Sequence, residues 1–391
     1  MEPMPIHDRD KKEWLSTSQW MYLLLFSTIL CSGVLVYNFS NQLADCSPAP
    51  FLYVTLHDEP HNVIKMSRNG CIISTSTLER EKNSYLRYIE TGAKHILSKA
   101  RLRTMAAGKY KGLDALYVAN AKAGRDEILV YSGRCDRFGK RRLLARAVTK
   151  LVDGDFVDTE HTSIAMEHPY GLTFDAEGNL YVSTQHTDLV LRYRADTFAP
   201  LSAPDLSTEN PPKPELISSE FSLGSTSLVT NVAKQVHNGS FVDFSNLNDH
   251  RVYEGVRGIA YVDGHIWIAH ENINGIVVAD ISTGIIRYVI AVEKPISLLL
   301  DNDRGVVFVG VKGRRSQSAT VYAVDVSTMK ITKAYNHNNA KHATGIVLHE
   351  DTLFVADQGL SSIILFDVNT GEYKGKLRHL PYVEDLMLSD C

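Results

Sequence analysis

A unit of short alternating strands recurs along most of this 391-residue chain, and nothing else in it constrains the fold as much. The clearest copy starts at His168 and reads HPYGLTFDAEGNLYVSTQHTDLVLRYRADT. Apolar residues alternate in GLTFD, LYVST and LVLRYR, the period of half-buried strands, and AEGN between the first two is a tight-turn signal. The pattern returns from Val256, from Pro295 and from Ala343, and a looser copy begins at Leu102. Corresponding positions Arg257, Ile296 or Ser297, Thr344 and Glu384 lie about 40–47 residues apart. Three or four short strands at that period make one blade of a β-propeller.

The two ends of the repeat region complete each other. PFLYVTLHDEPHNVIKMSRNGCIIST begins with what is the second strand elsewhere, and PYVEDLMLSD near the C-terminus is a first strand with nothing after it. Joined, they form one blade. The expected fold is all-β, a six-bladed propeller closed by pairing of the N- and C-terminal strands, which leaves no sheet edge open. Trp-Asp pairs and the double glycine of kelch repeats do not occur in the copies, and a lone Gly-His at Gly264-His265 does not mark them as tryptophan-aspartate repeats. The pattern at Gly171–Val182 resembles the NHL repeat and the wider TolB-like propeller superfamily, over roughly residues 50–391. That resemblance implies architecture; such propellers host binders, lyases, esterases and synthases alike.

Ahead of the repeats lies a stretch of another kind. No charged residue occurs between Trp14 and Ala44, and Trp20–Tyr37 is mostly apolar with aromatic residues at both ends. Eighteen such residues suffice to cross a bilayer, with Trp and Tyr at the interfaces. Arg9, Lys11 and Lys12 precede the span and no Lys or Arg follows until Lys65. The positive-inside rule then gives a cytoplasmic tail (residues 1–19), a transmembrane signal-anchor (20–37), a stalk (38–50) and an extracellular or luminal propeller (51–391). A cleaved signal peptide is the other reading; the long tail of mixed charge and the lack of a small-residue cleavage site speak against it. In that compartment Asn238 heads a glycosylation sequon, and Asn38 a second one close to the membrane.

Composition narrows the function classes. Net charge is −4 with a pI near 6.4, so no global basic field attracts nucleic acid. A hydrophobic share of 44% excludes a disordered chain, and five Cys are too few for a disulfide scaffold. Residues 201–252 break the repeat with a Pro- and Ser-rich insertion, read as a lid or a variable loop with one outer strand near Ser240–Phe244. Arg134–Arg146 (RCDRFGKRRLLAR) reads as a solvated basic edge, with an anionic glycan as the alternative contact.

Candidate site residues follow from the architecture. The first strand of each blade lines the central channel, and the residues just before its apolar run are Arg103, Tyr170, Arg257, Ile296, Thr344 and Glu384. Two Arg, a Tyr and a Thr with one Glu suit an anionic or zwitterionic small ligand, since guanidinium presents a fixed fork of donors. The alternative is that Glu384 merely neutralises the two Arg in a wet channel. Loops after each second strand supply another ring: His57 and Asp58, Asn120, Gln185 and His186, His270 and Glu271, Lys312, Asp357. His57, Asp58, His186, His270, Glu271 and Asp357 are the residues that would hold calcium or zinc. Turn hydrogen bonding is their other reading, and no cofactor is expected on it.

Two further resemblances bear on activity. The segment from His168 is similar to a blade of the peptidyl-hydroxyglycine amidating lyase, whose zinc-binding His would fall at Tyr170. VEDLML at Val383–Leu388 resembles a strand of the calcium-dependent arylesterase and lactonase propellers, with Glu384 and Asp385 matching. The Asn residues of that site would fall at Tyr170, Pro295 and Thr344. Those enzymes and their strictosidine-synthase-like relatives can keep an N-terminal hydrophobic anchor. The expectation is therefore a tethered binding or interaction module for a small anion, peptide or glycan, with a metal-assisted esterase or lactonase as the alternative. No nucleic-acid partner is expected. Cys46 and Cys391 flank the two strands that close the ring, and a disulfide between them would replace the missing hairpin turn; Cys71 with Cys135 is the weaker pairing.

Overall fold

A computed structural model describes residues 49–59, 63–74, 100–122, 125–137, 140–148, 158–161, 166–201, 214–218, 240–244, 255–313 and 320–391. The predicted tail, span and most of the stalk, with Cys46, Asn38 and Asn238, lie outside them. The described residues belong to one compact unit, 48–391. Among them there are strands and turns but no helix, and so none long and apolar enough to cross a membrane.

Four-stranded antiparallel meanders follow one another along the chain. The first strands are β1 (Phe51–Glu59), β2 (Val63–Met66) and β3 (Ile72–Ser74). Then come β4 (Ala100–Tyr110), β5 (Leu113–Lys122), β6 (Arg125–Ser132) and β7 (Leu143–Val148), with β8 (Asp158–His161) added parallel to β7. The next sheet holds β9 (Pro169–Phe174), β10 (Asn179–Thr184) and β11 (Leu189–Arg194). From the insertion, β12 (Glu215–Ile217) joins the following sheet and β13 (Ser240–Asp243) closes this one against β11. The remaining sheets are β14 (Val256–Val262) to β15 (His265–His270), β16 (Gly275–Asp280) and β17 (Ile286–Ala291); β18 (Pro295–Asp301) to β19 (Val306–Val311), β20 (Val321–Asp325) and β21 (Ile331–Tyr335); and β22 (Ala343–His349) to β23 (Thr352–Asp357), β24 (Ser362–Asp367) and β25 (Tyr373–His379).

The last strand, β26 (Val383–Ser389), returns to the start and pairs antiparallel with β1, Leu52 opposite Leu388 and Val54 opposite Leu386. A run of β26, β1, β2 and β3 results, inner edge from the C-terminus and outer edge from the N-terminus. The inner strands β4, β9, β14, β18, β22 and β26 each lie against the next, and β26 lies against β4. Apolar clusters fill the gaps between successive sheets: Tyr181 and Phe241 meet Ile266 and Ile268, and Trp267 meets Val307 and Val309. Burial is thus shared among interfaces instead of collected in one centre.

Two sequence devices keep the inner strands close. Gly258 and Gly345 follow the ring residues Arg257 and Thr344, and a Cβ there would meet the next inner strand at 2.8 Å (Ile296 O) and 2.5 Å (Asp385 Cα). Hydroxyl groups then grip the neighbouring strand's carbonyls: Thr55 Oγ1 donates to Arg103 O at 2.9 Å and Ser183 Oγ to Arg257 O at 2.5 Å.

The disulfide corrects the sequence reading. Cys391 is bonded to Cys135, 256 positions away with Cα atoms 5.7 Å apart, and not to Cys46. Cys71 is accordingly not Cys135's partner. The reason is tertiary. Where β26 ends, the β6–β7 loop of the neighbouring sheet reaches across. Tyr53 donates to Cys391 O at 3.0 Å, and Arg141 donates to Ser389 Oγ at 2.7 Å while holding the Ser132 and Gly133 carbonyls.

Candidate functional site

The mouth of the ring is assembled by one backbone bond, repeated. The residue after each second strand, or His57 inside the longer β1, donates its N–H to the carbonyl just before an inner strand: His57 to Tyr382, Gln185 to His168, Glu271 to Gly255, Lys312 to Lys294 and Gln358 to His342, at 2.7–3.0 Å. Side chains from the two predicted rings are thereby brought to one level. They arrive with His168, Lys294 and His342, each two positions before an inner-strand ring residue.

Arg103, Tyr170, Arg257 and Glu384 come together. The guanidinium carbons of Arg103 and Arg257 lie 5.2 and 5.5 Å from the Tyr170 ring centroid, so two cations share one aromatic ring. Arg103 Nη1 donates to Glu384 Oε1 at 2.7 Å, and its Nη2 meets His168 Nε2 at 2.8 Å. Glu384 Oε2 accepts from Gln358 Nε2 at 3.0 Å. Thr344 is buried and donates weakly to the Ala356 and Val383 carbonyls, so it serves the backbone. Ile296 is buried.

Glu384 does not neutralise both arginines. Arg257 turns to Glu271, donating Nε and Nη2 to Oε2 at 3.0 and 2.5 Å. Glu271 Oε1 accepts from Lys312 Nζ at 2.8 Å and has Lys294 Nζ at 3.9 Å. Burial alone would raise the Glu271 carboxyl, but the Arg257 guanidinium and the Lys312 ammonium outweigh it and hold it down to about 2. Burial, with Arg103 beside it, pushes His168 down to about 3, so it is neutral at pH 7. His342 is lowered by burial too, and Glu384 and Glu271 work against the shift. Burial raises the phenol of Tyr170 beyond its usual range.

Most of the residues expected to hold a metal are engaged in other ways among the described residues. His270 is fully buried against the Phe244 ring at 5.0 Å and is pushed down to about 3 by burial. Asp357 accepts the N–H groups of Lys341, His342 and Leu360, and Asn120 caps Arg101 N while donating to Glu127. His186 stacks on His168 with centroids 4.3 Å apart, and Glu271 is taken by cations. His57 binds the Tyr382 carbonyl through its backbone, and the Asp58 side chain lies outside the described residues. Among the described residues, no group of three or more His, Cys, Asp or Glu side chains is placed to hold a metal ion. Asp385 is fully enclosed, accepts Met105 N at 2.9 Å, and burial pushes it up to about 7.

Sequence reading passed over His168, Lys294, His342 and Gln358. Their signal was present: Gln358 stands directly beside Asp357, and His168, Lys294 and His342 stand two positions before Tyr170, Ile296 and Thr344.

No family model matches the sequence, and no curated protein is similar to it in sequence. A solved structure of a nidogen/laminin complex aligns with 87% of this chain and 98% of its own, at 10% identity and a TM-score of 0.50. A protein of unknown function from Bacteroides caccae aligns with 87% of this chain and 99% of its own, at 10% identity and a TM-score of 0.49. The WD40 β-propeller domain of Doa1 aligns with 73% and 75%, at 10% identity and 0.38. The first likeness, joined to the ring of meanders, places the chain in the β-propeller class. At that identity it speaks for fold alone.

Proposed function

We propose that this is a six-bladed, NHL- or TolB-like propeller, tethered by residues 20–37 with its blades extracellular or luminal, and that its channel mouth binds an anionic group. A binding or interaction module is the best reading, its ligand a small anion, an acidic peptide or a glycan. The blade count is supported by the cycle of six inner strands and by β26 closing onto β1. Tethering is supported by the uncharged run and by the Lys and Arg bias on its N-terminal side.

One observation carries the ligand class. At the mouth, Arg103, Arg257, Lys294 and Lys312 stand against two paired carboxylates, Glu271 and Glu384. A metal-assisted hydrolase is less well supported, because those carboxylates are already engaged by guanidinium, ammonium and amide donors. Arg257→Ala in the full chain should weaken binding of an acidic peptide by roughly 1.5–3 kcal/mol, a charge-assisted bond, with the strand content kept. Unchanged affinity sinks the ligand reading. For tethering, protease added outside sealed vesicles should leave residues 45–391 intact; their digestion would reverse the orientation.

A further inference from the structure

We infer that the mouth holds a subsite for a dianionic oxyanion group, a phosphoryl group or a paired dicarboxylate, formed by Arg257, Lys294 and Lys312 around Glu271. The inference rests on the anion-binding reading above and sharpens it to one side of the mouth and one charge class.

The charges carry it. Arg103 and Glu384 pair one to one and cancel. Around Glu271 three cations meet one carboxylate, which leaves two positive charges uncompensated among those four groups. Among the described residues, His342, His270 and His168 also face them and are shifted toward the neutral form by burial, and burial keeps the Tyr170 phenol neutral. Two charges are what a dianion cancels and a monocarboxylate does not.

The cations also differ in how firmly they are held. Arg257 is bidentate on Oε2, stacked on Tyr170, and its side chain is 14% exposed. Lys312 and Lys294 are 43% and 29% exposed, and Lys294 stands 3.9 Å from the carboxylate, beyond hydrogen-bond reach. Lys294 can swing to an incoming oxyanion, and Lys312 can by giving up its bond to Glu271, while Arg257 keeps Glu271 in place. Glu271 therefore acts as the resident counter-ion that holds the cations together and competes with the ligand for them.

Position in the fold supports the same assignment. Lys294 and Lys312 belong to the repeated backbone bond at the mouth, Lys312 N–H to Lys294 carbonyl at 3.0 Å. Their main chains are fixed, so only side-chain freedom is lost on binding.

Equilibrium titration of the full chain in detergent, at low ionic strength, tests the inference with inorganic phosphate, succinate and acetate as probes. Phosphate or succinate should bind and acetate should not, and which of the two binds more tightly assigns the phosphoryl or the dicarboxylate source. K294Q and K312Q should each weaken binding about tenfold, the loss of one charge-assisted bond. E271Q should strengthen it, since the competing charge is gone while the side chain keeps its shape. Binding unchanged by K294Q and K312Q but lost in R103Q would overturn the subsite and leave the mouth as an anion site. Weaker binding in E271Q, with its unfolding midpoint kept, would overturn the counter-ion role. An absence of anion binding of any kind would overturn the mouth reading itself.

Discussion

The two ends of the inner strands are built from opposite charges for different reasons. At the end where β18 and β22 begin, Lys294, Lys312 and Arg257 gather around Glu271. At the other end of the same strands, Asp301, Asp303, Glu350 and Asp351, four carboxylates to the one guanidinium of Arg304, line a cavity of about 600 Å³ with Leu299, Leu300, Val347 and Leu348. The acidic end is largely explained by the chain's own needs. Asp301 accepts the N–H groups of Asp303 and Arg304 at 3.1 and 3.3 Å and the Arg304 guanidinium at 3.0 Å, closing the β18–β19 turn. Asp175 does the same work for β9–β10 by accepting Asn179 N at 2.7 Å. Turn geometry asks for a short acceptor there. Nothing in the backbone asks for Lys294, Lys312 or Arg257. Residues that a turn requires say little of function; charges that no backbone group requires say more.

A third set of charges gives the scale for breaking this contrast. Arg146 is fully buried and bonded to Glu127 through Nε at 2.9 Å and through Nη2, and Glu127 also accepts from Asn120. Glu127→Ala would strand a buried guanidinium and should cost about 3–5 kcal/mol in urea unfolding. That would be the largest effect among the charge variants, with no role for the mouth. A cost below about 1 kcal/mol would show that buried and mouth pairs cannot be ranked by enclosure. Asp301→Ala comes next, at about 1–2 kcal/mol of stability for the lost turn bonds, with phosphate affinity at the mouth unchanged. A fall in that affinity would mean the two ends are not independent.

Acid titration gives the subtlest effect. His168 and His270 are held near 3, against an unfolded value of about 6.5. Between those values the folded state binds fewer protons than the unfolded one, so their contribution to stability falls as pH falls. Asp385, held up to about 7, runs the other way, and its contribution falls as pH rises from about 4 to 7. Two histidines outweigh one carboxyl, so the urea midpoint should rise from about pH 4 to 6.5, and Asp385→Asn should steepen that rise. A midpoint that falls over this window would contradict the burial of both imidazoles.

Much of the fold was legible because its determinants are local. Alternation in GLTFD and LYVST, with AEGN between, gives β9, its turn and β10. The half-repeats at the two ends gave the pairing of β26 with β1. Tyr170, Arg257 and Glu384 were legible as mouth residues because the repeat fixes their position on the inner strands. What stayed hidden was which side chain meets which. Glu271 and Arg257 stood in different predicted rings, and only the backbone bond joining the rings sets them 2.5 Å apart. Cys391 likewise finds Cys135 because of where β26 ends relative to a neighbouring loop, which no spacing along the chain encodes.

The central claim is that the surplus cations at the mouth form a ligand site. It is tested most directly by locating a heavy dianion. Crystals of the full chain grown with tungstate, a tetrahedral dianionic oxyanion, would be examined by anomalous scattering. The account predicts a tungsten peak within hydrogen-bond reach of Lys294 and Lys312 at the channel mouth, and none in the acidic cavity beside Asp301 and Asp351. A mouth without a peak, in crystals that bind tungstate elsewhere on the surface, would contradict it.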